Sequence, residues 1–598
     1  MTTRSMAELL QQRAAAAVPS PAPAPASGRR LIRRRAVPEA TGLAGLSPLL
    51  ARVFAARGVR EPGELRLAPD RLLPVGTLGG AEAAAALLER HRDGRILVVG
   101  DYDADGATST ALLLRALRSW GFSAVDYLVP DRFRFGYGLT PAIVDVAAGR
   151  NPTLLVTVDN GIASHEGVQR ARELGLQVLV TDHHLPGAVL PAAEVIVNPN
   201  VAGNGFGSRA LAGVGVAFYV LLALRRRLQA AGRLPPGAAQ ATELLDLVAL
   251  GTVADVVPLD ANNRVLVALG LQRIREGRCR PGIRALLEVA GREAATLVAA
   301  DLGFAVAPRL NAAGRLEDMG VGIDCLLAED AAEARRLAER LDGINRERRR
   351  IEADMQAEAV AAVRGIDLPG RGERRHGLCL FDPGWHQGVV GLVAGRIKER
   401  LRRPVIAFAR AEEGWLRGSA RSVDGVHIRD VLDAVATREP GLVERFGGHA
   451  MAAGLTLAEA HLDRFARAFE CECARWMEAV SAADHIATDG ELLPAEFSLE
   501  TARQLREAGP WGQAFPEPSF DGVFQVLQTR VVGERHLKLW VQPPGLRLRL
   551  EAVHFGYFDT PERPVPEGPV QLVYRLDVNH YGGEQRLQLL VEHLQAPD

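Results

Sequence analysis

The chain has 598 residues, 47% of them apolar and 24% charged, with a formal net charge of −1. That length exceeds one compact core and implies about three or four domains. The balanced charge excludes nucleic-acid binding through an overall basic field, so any such surface must be a local patch.

Residues 14–28 are rich in Pro and Ala and read as disordered. The arginines that follow (Arg29, Arg30, Arg33, Arg34, Arg35) have two readings, phosphate contact or a solvated entry segment, and the second is the stronger. Only two lysines occur, Lys398 and Lys538, against a Lys+Arg total of 71, so arginine richness here is compositional and a weak sign of phosphate binding. Five cysteines (Cys279, Cys325, Cys379, Cys471, Cys473) make no C-x-x-C pair and no disulfide framework, which fits a reducing compartment. The longest apolar helix-like run, Val214 to Leu224, stops at Arg225-Arg226-Arg227, short of the ~20 residues that span a bilayer. No secretory signature opens the chain. A cytoplasmic protein without a membrane partner is expected.

From about 95 to 260, apolar runs alternate with helix-like stretches. ILVVGDYDADG reads as a strand ending in an acidic loop, and STALLLRALRSWG as the helix after it. TLLVTVDNG, LQVLVTDHH and AEVIVNPN repeat the pattern. Such alternation predicts a parallel sheet covered on both faces, with ligands outside the carboxyl ends of its strands.

The strongest signal is Asp101-Tyr-Asp103-Ala-Asp105-Gly106. Three carboxylates at alternating positions repel unless a multivalent cation neutralises them. The spacing also opens a calcium-binding EF-hand loop, but the glutamate due six residues after the Gly is Leu112. Asp159, in VTVDNG, is ambiguous alone, because Asp-Asn-Gly is good turn chemistry. Asp182-His183-His184 ends a strand pattern, where alternating side chains can turn one imidazole to a metal and the other to substrate. Asp255, in GTVADVVPL, reads singly as a helix cap and gains weight only in combination. Together these groups offer oxygen and nitrogen donors for two divalent ions, and carboxylate with imidazole suits Mn²⁺ or Mg²⁺. Two such ions would stabilise the attacking and leaving oxygens of an in-line phosphoryl displacement.

Residues 329–363 are strongly helical and charged, interrupted only by Gly343, as expected of a long helix or helical pair between lobes. A second α/β segment spans about 375–475. After 485 the pattern becomes period-two in FQVLQTRVV, HLKLWVQ, LRLRLEAVHF, VQLVYRLDV and RLQLLVEHL, predicting a small barrel of the oligonucleotide-binding type.

GDYDADG, TVDNG, TDHH and GTVADVVPL, in this order, resemble the motifs of the DHH phosphoesterase superfamily, and most closely the bacterial RecJ family of single-strand-specific exonucleases. RFRFGYGL, RLNAAGRL, GWHQGVVGLVAGR, GSARS and FGGHAMAAGL are similar to that family too. The resemblance implies a tail over 1–37, a DHH catalytic domain over 38–328, a connecting helix over 329–366, a DHH-associated domain over 367–480 and an OB-like domain over 481–598. It implies Asp103, Asp105, Asp159, His183 and Asp255 as metal ligands, with Asp101, Asp182 and His184 close to them. Ser419 and Arg421, with Arg132, Arg309 or Arg315, match positions that would bind a 5′-terminal phosphate, as the planar arginine fork suits. For each single arginine a surface ion pair is an equal reading. Gly447-Gly448-His449 resembles a phosphate-approaching signature, although packing explains the glycines nearly as well. Trp540 and Tyr574 are candidates for base stacking, with core burial the stronger reading. Basic residues are sparse on the expected barrel face.

The implied activity is two-metal, 5′-to-3′ hydrolysis of single-stranded DNA to 5′-mononucleotides, in DNA repair and recombination. Single-stranded DNA, a single-strand-binding protein and a RecQ-type helicase are the implied partners. Oligoribonucleases and cyclic-dinucleotide phosphodiesterases share the motifs but need no barrel. A non-catalytic replication scaffold would not need every ligand position filled, as it is here.

Overall fold

The computed structural model describes residues 30–38, 42–131, 135, 137–364, 376–480, 485–559, 563–579 and 584–597. The Pro/Ala-rich tail and Arg132 lie outside the described residues. The chain forms two compact units, one of Ile32–Gly343 with Ile486–Asp598, the other of Met1–Leu31 with Ile344–His485.

In the first unit, β1 (Arg95–Gly100), β2 (Ala124–Leu128), β3 (Leu154–Val158), β4 (Gln177–Thr181) and β5 (Val195–Val197) form a sheet in the order β2-β1-β3-β4-β5, parallel throughout. Every residue of β3 is buried, which is why these strands read as unbroken apolar runs. Gly100 lies opposite Val158, and Val158 opposite Thr181. This register brings the next residues, Asp101, Asp159 and Asp182, level with one another at the carboxyl ends of three adjacent strands. Covering helices include α1 (Ala104–Ser119), α2 (Gly213–Ala230), α3 (Leu245–Ala254) and α4 (Ala307–Leu316). The longest apolar run of the sequence is in α2, whose Val214–Leu221 stretch is wholly buried among its neighbours. Among the described residues no single helix is long and apolar enough to cross a membrane.

A single helix, α5 (Ala331–Arg364), takes the place of the anticipated helix or helical pair, and the two units divide at its Gly343. The second unit carries β6 (Leu378–Phe381), helix α6 (Val390–Leu401), β7 (Val405–Glu412), β8 (Trp415–Arg421), β9 (Arg445–Gly448) and β10 (Ala452–Ala458). Its sheet runs β9-β10-β8-β7-β6, antiparallel except for β6 with β7.

The C-terminal strands, β11 (Phe520–Val532), β12 (His536–Gln542), β13 (Leu550–His554), β14 (Pro569–Asn579) and β15 (Arg586–Gln595), close into a barrel in the order β11-β12-β13-β15-β14. Along β12 the residues Leu537, Leu539 and Val541 point inward and Lys538 and Trp540 outward, the two-residue period of a half-buried strand. Phe520, Phe524 and Tyr574 fill the interior.

Of the basic stretch before residue 36, Arg33 is exposed as a solvated segment would be, Arg29 lies outside the described residues, and Arg34 and Arg35 instead pair with carboxylates. Leu31–Arg34 pairs with His485–Thr488 as a small sheet. Arg34 binds Asp521, Arg35 binds Asp489 at 3.0 Å, and Arg57 grips both oxygens of Asp489 at 2.8 and 3.0 Å. The Arg57 and Asp489 side chains are 1% and 0% exposed, so removing either partner would cost about 3–5 kcal/mol.

Candidate metal centre

The acidic residues gather because strand ends deliver Asp101, Asp159 and Asp182, while helix ends deliver Asp103, Asp105 and Asp255. Asp103 caps the first turn of α1, accepting from Asp105 N at 2.9 Å and Gly106 N at 3.0 Å. Asp105, the second residue of α1, is buried and caps a different helix, accepting from Gly213 N at 2.6 Å and Val214 N at 2.9 Å at the start of α2. Asp101 accepts from its neighbour Tyr102 N at 2.7 Å. Asp159 leaves β3 in the left-handed region (φ 61°), which Asp tolerates better than most residues. Asp255 closes the C-terminus of α3.

His183 joins these groups. Its Nε2 lies 3.1 Å from Asp159 Oδ1 and 3.4 Å from Asp255 Oδ2. Three sets of donor atoms each fall within 4.8 Å: Asp159, His183 and His184; Asp105, His183 and Asp255; Asp101, Asp103 and Asp159. Shared members make them one cluster.

Asp182 differs from the rest. Its Oδ1 accepts from His183 N (2.7 Å), His184 N (3.0 Å) and His184 Nδ1 (2.8 Å), and its Oδ2 accepts from Ile162 N (2.9 Å). Burial pushes its pKa up, but these donors outweigh burial and hold it below the usual carboxylate range. For His184, burial pulls down and Asp182 pushes up, and the carboxylate wins, leaving the imidazole at about 8.

The remaining carboxyls are perturbed the other way. Burial, then repulsion from Asp103, raises Asp105 to about 7. Burial and neighbouring carboxylates raise Asp159 and Asp255 well above the ordinary range. Among the described residues, Asp103, Asp105, Asp159 and Asp255 have no Arg or Lys ion-pair partner. The buried Asp159 Oδ1 accepts no hydrogen bond. Crowded, buried, uncompensated carboxylates with imidazole and no thiol are the donor set that a hard divalent cation satisfies.

Glycines make the crowding possible. A Cβ on Gly213 would fall 2.7 Å from Asp159 Cβ, and one on Gly251 would fall 2.9 Å from Asp105 Oδ1.

Some residues of the centre went unassigned in the sequence. Asn200 Nδ2 donates to His183 O at 2.6 Å and Asn198 Nδ2 to His184 O at 2.9 Å, holding the histidine loop. Asn311 Oδ1, on α4, accepts from Ala104 N at 2.7 Å and ties α4 to the acidic loop. Tyr137 donates from Oη to Asp159 O at 3.3 Å and lies 3.5 Å from His184 Nε2. Asparagines beside such a motif and the tyrosine of RFRFGYGL were the available signals.

The anticipated phosphate-binding residues fare unevenly. Arg309 is buried and turned inward, donating to Asp342 Oδ1 from Nη2 at 2.8 Å and to Ala305 O, so an internal ion pair replaces the expected phosphate contact. Arg315 is half-buried near the end of α4. In the second unit, Arg421 Nη1 donates to Ser419 Oγ at 2.9 Å. A Cβ on Gly391, in the first turn of α6, would lie 2.8 Å from both Ser419 Oγ and Arg421 Nη2. The pair therefore sits against a helix N-terminus, where amide groups favour anions. His449 is exposed. Gly448 has φ 144°, and its Cβ would strike Ala452 O at 2.4 Å, so packing accounts for that glycine.

On the barrel, Tyr574 is 1% exposed and belongs to the core. Trp540 lies on the outer face with Lys538 Nζ 5.1 Å and Arg549 Cζ 5.3 Å from its ring centre, an aromatic patch flanked by two cations, of which Lys538 is paired with Glu551 at 2.7 Å.

Comparison with known proteins follows the same divisions. The family model for the DHH family N-terminal domain matches residues 95–252, the DHHA1 domain 375–474 and the RecJ OB domain 488–593. The single-stranded-DNA-specific exonuclease RecJ of Dickeya dadantii (strain 3937) is 54% identical over 571 residues, covering 94% of this chain and 98% of its own. That of Escherichia coli (strain K12) is 53% identical over 577 residues, with the same coverage of 94% and 98%. The crystal structure of RecJ in complex with Mn²⁺ from Thermus thermophilus superposes with a TM-score of 0.75 at 32% identity, covering 92% of this chain and 76% of that one. With these identities along nearly its whole length, the chain belongs to the RecJ family of single-stranded-DNA-specific exonucleases.

Proposed function

We propose that this protein hydrolyses single-stranded DNA from its 5′ end, releasing 5′-mononucleotides, with two Mn²⁺ or Mg²⁺ ions held by Asp103, Asp105, Asp159, His183 and Asp255. The observation that carries the reading is the convergence of buried and half-buried carboxylates, without Arg or Lys partners among the described residues, and His183 at the carboxyl ends of the parallel strands. Bound cations would supply water activation and stabilise charge on the reacting phosphate.

The protein's own groups do the rest. Asp101 lies close enough to Asp103 and Asp159 to shape the same pocket. Asp182 fixes the orientation of His184 through Nδ1, so that Nε2 lies on the far side of the ring, 3.5 Å from Tyr137 Oη, where substrate would meet both groups. Within the second unit, Ser419 and Arg421, beside the N-terminus of α6, would receive the 5′-terminal phosphate, with His449 as a further contact. Holding the strand's end fixes which bond is cut, and so gives an exonuclease. Trp540, Lys538 and Arg549 would hold the strand farther along by stacking and charge. A single-strand-binding protein and a RecQ-type helicase are the partners this reading implies, supplying bare strands with free ends in the cytoplasm.

The test is digestion of end-labelled single and double strands, DNA and RNA, with and without EDTA. Cation-dependent release of mononucleotides from the 5′ end of single-stranded DNA is expected. Release from the 3′ end first, or activity that survives chelation, would refute the reading. Asp103→Ala should abolish cleavage and leave strand binding largely intact.

A further inference from the structure

Residues 208–213, the loop that leads into α2, meet the ligand-bearing segments one after another. Asn200 Nδ2 donates to His183 O at 2.6 Å and to Arg209 O at 3.3 Å, joining the histidine segment to this loop. Gly213 N, at the loop's end, donates to Asp105. Between them, Ala210 O accepts from Asn263 Nδ2 at 2.6 Å, and the same Nδ2 donates to Pro258 O at 2.9 Å. Pro258 lies three residues beyond Asp255. One side-chain amide therefore fastens the Asp255 segment to the loop that Asp105 caps and Asn200 ties to His183.

Asn263, near the start of the helix Ala261–Arg275, is fully buried. Its Oδ1 is buried without a hydrogen-bond partner, so the amide acts through its two donations to main-chain carbonyls. A carbonyl left buried and unpartnered is costly, so neither donation is easily replaced. A parallel tie runs beside it: Asp260 accepts from Asn263 N at Oδ1 (2.9 Å) and from Ser208 Oγ at Oδ2 (2.5 Å).

The Asp255 segment needs such fastening. Asp255 Oδ2 is 3.4 Å from His183 Nε2, and Asp255 shares a donor set with Asp105, where like charges repel until a cation answers them. The next residue, Val256, has φ 62°, a conformation that a β-branched side chain keeps only where its surroundings enforce it. Repulsion and strain both favour release of the segment. Beyond Pro258, Leu259 N donates to Gln513 O at 2.8 Å, which completes the grip.

We propose that Asn263 is a positioning residue of the metal centre, holding Asp255 within reach of Asp105 and His183 through the carbonyls of Ala210 and Pro258. The role rests on the reading of Asp255 as a metal ligand and adds to it a group that touches neither cation nor strand.

The test titrates the full chain with Mn²⁺ by calorimetry, below the Tm of every variant. Asn263→Leu keeps the volume and removes both donations. Its Mn²⁺ dissociation constant should rise about 10–100-fold, the usual result of removing a group that orients a metal ligand. Strand affinity in EDTA, read by fluorescence anisotropy, should be unchanged, and any loss of cleavage should fall on kcat rather than KM. Asn262→Leu is the control. Asn262 is buried on the same helix, but its Oδ1 accepts from Leu73 N at 3.0 Å and Tyr219 Oη at 2.9 Å, away from the ligand-bearing segments. That variant should lose Tm and keep its Mn²⁺ affinity. Should Asn263→Leu not fold, Asn263→Ser, which retains one donor, carries the same measurement with a smaller rise. Unaltered Mn²⁺ affinity in the Asn263 variants overturns the role, as does an equal loss in Asn262→Leu. If the unaltered protein binds no Mn²⁺, the metal reading itself falls; if it does and the Asn263 variants bind as tightly, only the positioning role falls.

Discussion

His184 Nδ1 donates to Asp182 Oδ1 over 2.8 Å, while Asp182 also accepts from the backbone of both histidines. One carboxylate thus sets the tautomer, the ring orientation and the loop path of the pair. Asp182→Asn should lower kcat about 10–100-fold, the usual cost of losing a group that orients a metal-site ligand. Strand affinity should hold. Steady-state kinetics with binding measured by fluorescence anisotropy separates the two, and a matching loss of affinity would argue against an orienting role.

Cation and proton should compete at this centre. Asp105, Asp159 and Asp255 have folded-state pKa values raised above the ordinary carboxylate value of about 4. The folded chain therefore binds more protons than the unfolded one, and in EDTA this contribution to stability falls as pH rises from about 4 through about 7. Saturating Mn²⁺ should remove that fall and raise Tm. Thermal melts across this range, with EDTA and with Mn²⁺, check both; identical curves would mean that the carboxyls hold no cation.

Gly213→Ala places a methyl group 2.7 Å from Asp159 Cβ. The expected cost is about 1–3 kcal/mol of stability, together with loss of the Mn²⁺-induced rise in Tm. Gly175→Ala, with nothing within 4 Å but φ 74°, reports backbone strain alone. Chemical denaturation of both variants with and without Mn²⁺ separates crowding from strain.

Arg421→Ala should slow cleavage of 5′-phosphorylated strands more than of 5′-hydroxyl strands. Competition between the two substrates reads this directly. Equal losses on both would detach Arg421 from the strand's end.

The sequence exposes the strands and the acidic groups together because both follow from short-range pattern. ILVV and TLLVTV are buried on both faces, and an acid at a buried strand end has few structural uses. HLKLWVQ matches strand β12 residue for residue, since alternation marks a half-buried strand. The edge strand Ala124–Leu128 went unnoticed because its residues are mostly half-exposed and carry no continuous apolar run. Arg309 stayed open between phosphate contact and ion pair because its partner, Asp342, lies 33 residues away. Asn198, Asn200 and Asn311 act on backbone amides and carbonyls brought near by the loop path, which side-chain pattern does not encode.

The Arg34–Asp521 and Arg57–Asp489 pairs join positions 487 and 432 residues apart. During synthesis these arginines emerge long before the acids that neutralise them. The early segment must therefore wait, its guanidinium groups hydrated, until the ribosome has delivered almost the entire polypeptide. Assembly of this unit is in that sense completed from its last-made part backward, and a nascent chain arrested before residue 489 lacks the clasp that fastens its own beginning.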